Sequence, residues 1–201
     1  MTDNNSGFSD TKQEIMQATY DAIQQHGYVG LTIQSIADNF GKSKAVLHYH
    51  YDTKEDLLAA FLNYLLSEFR ETIQIDEGSS PEQQLLDLVD VLLYGPDDSS
   101  SEEIFQMQTA LLEIQSQSPH KQLYRDQFTQ IYHWLGNLFV EIINNGIAEN
   151  VFRDVNAHLT AQHLLLIIVG GILNRHTTNS EMSPDQIREI VTAQFLPYLK
   201  K

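Results

Sequence analysis

The side chains best equipped for chemistry lie between residues 42 and 54, where Lys42, Lys44 and Lys54 face a single acid, Asp52, and His48, Tyr49 and His50 are interleaved. That local balance of +2 sits in a chain of net charge −15. Ammonium, imidazole and phenol groups donate hydrogen bonds to anionic oxygen. A local basic face on an acidic body can still hold a phosphate, because the attraction acts over about 10 Å at ordinary ionic strength. Other chemistries fit these residues poorly. Gly41-Lys42-Ser43 lacks the earlier glycine that a phosphate-binding loop needs, since Ile36 stands there, and no strand precedes it. His48 and His50 point in different directions on a helix, and the spacing of His158 and His163 is also poor for shared ligation. No metal site and no cofactor are expected, and no Gly-x-Ser-x-Gly elbow supports a hydrolase.

Short helices must position these groups. Thr32 can cap a helix whose inner face is Ile33, Ile36, Ala37 and Phe40. Gly41 supplies a left-handed turn, and Ser43 can cap a second, very short helix at 44–49. Thr53 and Asp56 form a capping box that opens a long helix. Upstream, a helix beginning at Asp10 or Thr11, with Thr11 and Glu14 as its box, carries the inner stripe Ile15, Ala18, Thr19, Ala22 and Ile23 and ends at Gly27. Two short helices around a glycine turn make a helix-turn-helix, a unit that sets its second helix in the DNA major groove.

The stretch 31–58 closely resembles the DNA-binding domain of the TetR/AcrR family of transcriptional regulators. The matching residues are Thr32, Ile36, Ala37, Gly41, Ser43, Ala45, Val46, Leu47, His48, Tyr49, His50, Tyr51, Thr53, Lys54, Glu55, Leu57 and Leu58. Lys42 stands where the family usually has an apolar residue, and His48 where it usually has Tyr. The segment 146–155, GIAENVFRDV, resembles the end of the family's seventh helix, with Asn150 replacing a glycine. The resemblance implies a DNA-facing set of Thr32, Gln34, Ser43, Lys44, Ala45, Val46, His48, Tyr49, His50 and Lys54. In it Lys54 and His50 contact phosphate, Tyr49 lies along the backbone, and Lys44, Ala45, Val46 and His48 face base edges. Lys44 suits guanine O6/N7, and Ala45 and Val46 suit thymine methyls. Leu47 and Tyr51 are expected to point inward.

The 201 residues leave room for one small helical domain and a larger one. Cysteine is absent, which excludes a disulfide framework, a thiolate metal site and a cysteine nucleophile. The first residues lack the basic and apolar regions of a signal peptide, and a cytoplasmic location is expected. The longest apolar run, 164–173, has 10 residues. A membrane span needs about 20, so a buried helix and no membrane association are expected. Residues 1–58 hold 4 lysines against 8 acids, a balance of −4, and residues 59–201 hold 8 basic residues against 19 acids, a balance of −11. The acidity either biases the protein toward sites read by base contacts or reflects a salty cytoplasm, the second supported by only 7 lysines.

Beyond the long helix at 54–73, Ser80-Pro81, Ser118-Pro119 and Ser183-Pro184 each read as N-cap and first helical residue. They predict helices over 81–94, 119–149 and 184–199, with two more over 101–117 and 156–178. Asn150 is a candidate left-handed cap. No stretch alternates with period two, so no sheet is expected. The chain reads as all-α with about nine helices: an N-terminal three-helix helix-turn-helix DNA-binding domain at 1–58 and a C-terminal helical ligand-binding and dimerisation domain at 59–201.

The family resemblance further implies a small-molecule effector among helices four to seven. Tyr64, Tyr94, Phe105, Met107, Leu111, Phe128, Tyr132 and Trp134 are candidate lining residues, and the few charges on the presumed inner faces favour an apolar effector. It also implies a homodimer through helices eight and nine. Leu164, Leu165, Ile168, Val169, Ile172 and Phe195 are the expected interface, on a helix apolar around much of its circumference. The expected function is a ligand-responsive repressor on a palindromic operator. The alternative is an interaction module whose helix-turn-helix no longer binds DNA.

Overall fold

A computed structural model describes residues 10–41, 43–73, 76, 78–96, 99–179 and 182–201. Lys42 and residues 1–9, expected to be frayed, lie outside them. The helices are α1 (Asp10–Gly30), α2 (Ile33–Phe40), α3 (Lys44–His50), α4 (Lys54–Thr72), α5 (Pro81–Tyr94), α6 (Ser101–Ser116), α7 (Gln122–Ala148), α8 (Ala157–Thr177) and α9 (Pro184–Ile190). A π-helical turn (Val191–Phe195) and α10 (Leu196–Leu199) follow. No strand occurs among the described residues beyond one isolated bridge between Phe152 and Lys200. The architecture is all-α, as expected.

Local signals account for most helix ends. Gly27 has φ 62° and ψ 177°, so the regular path of α1 breaks there, where its end was expected, and one further turn reaches Gly30. Thr53 and Asp56 form the expected box, the Thr53 N–H donating to the Asp56 carboxylate at 3.1 Å and the Asp56 N–H to Thr53 Oγ1 at 3.1 Å. Ser80 and Ser183 cap α5 and α9 ahead of their prolines. Asn150 adopts φ 61°, and Gly146 O closes the end of α7 by accepting the N–H groups of Val151 and Phe152, each at 2.9 Å.

Two expectations fail for local reasons. Ser118-Pro119 does not start α7. Residues 117–121 close a turn on Gln117 O, which accepts from His120 and Lys121, and the helix begins at Gln122. The predicted helix over 184–199 is helical throughout but widens into the π turn before α10. Pro197 has no N–H for the carbonyl one turn back, and a wider turn relieves its ring.

Contacts divide the chain into two compact units, Met1–Glu71 with Phe105–Thr129, and Thr72–Ile104 with Gln130–Lys201. The first unit is built on Ile15, Met16, Ile23, Leu31, Ile36, Leu47, Leu57, Leu58, Phe61, Leu62 and Tyr124, all at most 1% exposed. Of the two short helices, α2 buries Ile36, Ala37 and Phe40 and α3 buries Leu47, and full burial of a large apolar side chain contributes about 1.5–3 kcal/mol. The second unit packs Leu85 and Val89 of α5, Phe139, Ile142 and Ile143 of α7, Phe152, Leu164 and Ile168 of α8, and Ile187 and Val191 after it. In that unit α9 is tied to α5 by Arg188, whose Nε donates to Asp90 Oδ1 at 2.6 Å, and by Tyr94, whose hydroxyl donates to Asp185 at 2.6 Å.

Candidate nucleic-acid interface

Leu47 is the only residue of α3 that is buried. A seven-residue helix has little stability of its own, so α3 is held by this anchor and by the helices on either side. Its remaining side chains are presented outward. Lys44, Ala45, His48 and Tyr49 are exposed, Tyr49 to 84%, while Val46 and His50 are half-buried. The Tyr49 ring meets the His50 ring edge-on, with centroids 5.2 Å apart. Gly41 makes the turn at φ 66°, where a side chain would be strained. Ser43 is extended and makes no side-chain cap bond, contrary to expectation, so its exposed hydroxyl is available to a partner. Tyr51, expected inside, is half-buried. Its hydroxyl is buried with no described hydrogen-bond partner, and burial pushes its pKa up.

The two α2 candidates are held locally. Thr32 Oγ1 accepts the Ser35 N–H at 3.0 Å, and Ser35 Oγ accepts the Thr32 N–H at 2.9 Å. The Gln34 amide donates to Asp38 Oδ1 at 2.7 Å. Asp38 was not singled out from the sequence, although its place one turn after Gln34 would have revealed the pairing. Lys54 departs from the rest. Its ammonium donates to Leu31 O and Tyr28 O and lies 4.7 Å from the Tyr28 ring centroid. Burial pushes its pKa down, opposed by the neighbouring Glu55. The structure thus gathers Lys44, Ala45, His48 and Tyr49 on one short exposed helix and turns the Lys54 ammonium to the junction of α1 and α2.

The expected effector residues divide between the units. In the first, Tyr64, Phe105, Met107 and Leu111 are half-buried and Phe128 is buried. Burial raises the pKa of the Tyr64 hydroxyl, with Glu68 and Glu71 adding to it. In the second, Tyr132 and Trp134 are half-buried. Tyr94 is engaged with Asp185, and burial followed by that bond pushes it up to about 12. A cavity of about 450 Å³ in the second unit is lined by Asp154, Val155, Asn156, Leu159, Thr160, His163 and Tyr198, none of them an expected effector residue.

The structure buries three of the six expected interface residues. Leu164, Ile168 and Phe195 are buried in the second unit's own core, and Leu165 and Ile172 are half-buried against it. Val169 is half-buried. The open face carries Leu159 at 63%, Leu166 at 73% and Leu173 at 47% exposure, with Tyr198 at 58% on α10. A spacing of seven, nearly two full turns, stacks these leucines in one row. Reading α8 as apolar all round hid which row the core takes. By length and composition α8 could also cross a membrane. Its Ala157, Ala161, Leu164 and Ile168 row is instead buried in the core of this unit.

Residues 15–61 match the family model described as bacterial regulatory proteins, tetR family. A TetR transcription regulator from Haloarcula marismortui is 41% identical, with a TM-score of 0.85 over 96% of this chain and 100% of that one. A transcriptional regulator from Saccharomonospora viridis, solved in complex with choline, has a TM-score of 0.81 at 22% identity over 96% of this chain and 100% of its own. The HTH-type transcriptional regulator BetI of Stenotrophomonas maltophilia is 28% identical over 82 residues, 39% of this chain and 42% of that protein.

Proposed function

This chain belongs to the TetR family of transcriptional regulators, and from that premise we propose that it is a repressor that binds an inverted-repeat operator as a homodimer and is released by a small effector. The observation that carries the DNA part is α3, anchored by Leu47 alone and exposing Lys44, Ala45, His48 and Tyr49. Lys44 and His48 read base edges, with Ala45 and Val46 against thymine methyls. Tyr49, His50, Ser43, Thr32 and Gln34 contact the backbone or adjacent edges, which sets register. Residues 1–58 act as the reading segment and residues 59–201 as the sensing and dimerising one, in the cytoplasm and without catalysis. Selection of bound sequences from random double-stranded DNA tests this. An enriched inverted repeat supports it, and no enrichment from folded protein favours the interaction-module alternative.

The dimer uses the Leu159, Leu166 and Leu173 row with Tyr198. An apolar row on the outside of a folded unit calls for a cover, and a two-fold mate presents the same row. Half-sites then lie about 34–36 Å apart or at multiples of that spacing. Leu166→Glu is expected to leave the helical content intact, shift the protein to monomer in sedimentation, and weaken operator binding about 100-fold or more, as loss of paired half-site contacts requires. A dimeric variant with unchanged affinity would place the interface elsewhere.

The effector acts by population shift: it binds more tightly to a conformation whose two reading heads do not match the operator. The candidate lining residues, each set within its own unit, are Tyr64, Phe105, Met107, Leu111 and Phe128 in the first and Tyr94, Tyr132 and Trp134 in the second, for an apolar effector. The choline-bound regulator of the same fold favours a second reading, a small quaternary ammonium compound held on aromatic faces. Choline is the first probe. Release of operator by millimolar choline supports this reading, and operator binding indifferent to choline returns the search to uncharged apolar compounds.

A further inference from the structure

We propose that Lys54 is a positioning residue that ties α4 to the junction of α1 and α2, and that it makes no phosphate contact. The inference rests on the DNA-binding reading and refines it. The Lys54 side chain runs from the first residue of α4 back to the junction, where its ammonium donates to the carbonyls of Leu31 and Tyr28 and rests on the Tyr28 ring. The last carbonyls of a helix have no partner within it, and a cation there satisfies them and complements the helix dipole. Tyr28 O accepts also from the Leu31 N–H at 3.2 Å, so the ammonium closes a turn that is already formed. Leu31 is 1% exposed and Thr32 begins α2 immediately after it. Whatever fixes Leu31 O fixes the start of α2, and through Gly41 the pose of α3.

The surroundings of Lys54 disfavour a phosphate. The first turn of α4 carries Glu55 and Asp56, and those carboxylates would repel an anion approaching this helix start. Both are engaged: Asp56 closes the box with Thr53, and Glu55 accepts from Lys121 Nζ at 2.7 Å. A phosphate would also have to draw the ammonium away from two carbonyls and an aromatic face at once. The exposed Lys44 carries none of these constraints.

Two readouts on the full chain separate the roles. Removing one phosphate contact lowers the slope of log affinity against log salt concentration by about 0.9, and a substitution carried by both protomers of the dimer lowers it by about 1.8, whereas removing a positioning tie leaves the slope alone. Lys54→Met keeps the stem and deletes the charge. The expected results are about tenfold weaker operator binding at every salt concentration, an unchanged slope, and faster amide hydrogen exchange at residues 33–37 in the absence of DNA. Lys44→Gln, in contrast, is expected to lower the slope and leave that exchange alone. Tyr28→Leu removes the ring beneath the ammonium and is expected to weaken operator binding, whereas a phosphate-contacting Lys54 would be freed by it and bind as well or better. A slope lowered by about 1.8 in Lys54→Met, or unchanged exchange, overturns the proposal. If the wild-type protein binds no DNA, the DNA-binding reading fails on its own, and the exchange measurement alone decides for or against the tie.

Discussion

Lys44→Glu is expected to lower operator affinity about 100-fold at physiological salt. Loss of a bidentate contact to a base edge costs about 1–3 kcal/mol, and the new carboxylate adds repulsion from the phosphates on either side. Summed over the two half-sites of the dimer, about 1.4 kcal/mol at each, or about 2.7 kcal/mol in total, corresponds to the 100-fold. The structure makes the test clean. Lys44 is exposed at the first turn of α3, and the core below it is held by Leu47. The variant should therefore unfold at the wild-type temperature while binding fails. Lys44→Gln separates the two contributions, because it removes the attraction without adding repulsion and should fall between wild type and Lys44→Glu. Fluorescence anisotropy on the selected operator, read beside a thermal melt, checks both. Wild-type affinity in Lys44→Glu would remove α3 from the interface and favour the interaction-module reading.

Gly146→Ala is expected to destabilise the second unit by about 2–3 kcal/mol, although alanine is the better helix former by about 1 kcal/mol. A Cβ at position 146 would lie 2.1 Å from the ring of Phe152, which is fully buried. The ring has little room to retreat. Its residue forms the bridge to Lys200, and the next residue, Arg153, donates its N–H to Leu199 O at 2.9 Å. The glycine is therefore a packing requirement: it lets the returning chain lie against α7. With about 2–4 °C per kcal/mol for a chain of this size, the melting temperature should fall by roughly 4–12 °C. An unchanged or raised melting temperature in Gly146→Ala would show that Phe152 repacks without cost and that helix propensity decides the sign.

The helix-turn-helix was legible because each of its signals acts over a few residues. Thr32 and Thr53 cap the helices that follow them, Gly41 takes the left-handed turn, and Leu47 falls at the one inward position of α3. The seventh-helix ending was legible for the same reason, since Asn150 at φ 61° is a local conformational choice. Ser118-Pro119 carries an equally local signal, yet α7 starts at Gln122 because Gln117 O captures the intervening N–H groups into a turn. Local signals compete, and a cap motif reports only one competitor.

Two features required the third dimension. α8 is apolar on more than one face, so periodicity marks it as covered without saying which row faces inward. Packing against α5, α7 and α9 takes Leu164 and Ile168 for the core and leaves Leu159, Leu166 and Leu173 outside. Lys54 stands at its family position by sequence, but where its ammonium goes depends on Tyr28 and Leu31, more than twenty residues earlier. Caps and turns are set by neighbours along the chain, and so the amino-acid order carries every competing signal for them. The facing of an apolar helix and the aim of a long cationic side chain are set by groups that only folding brings near.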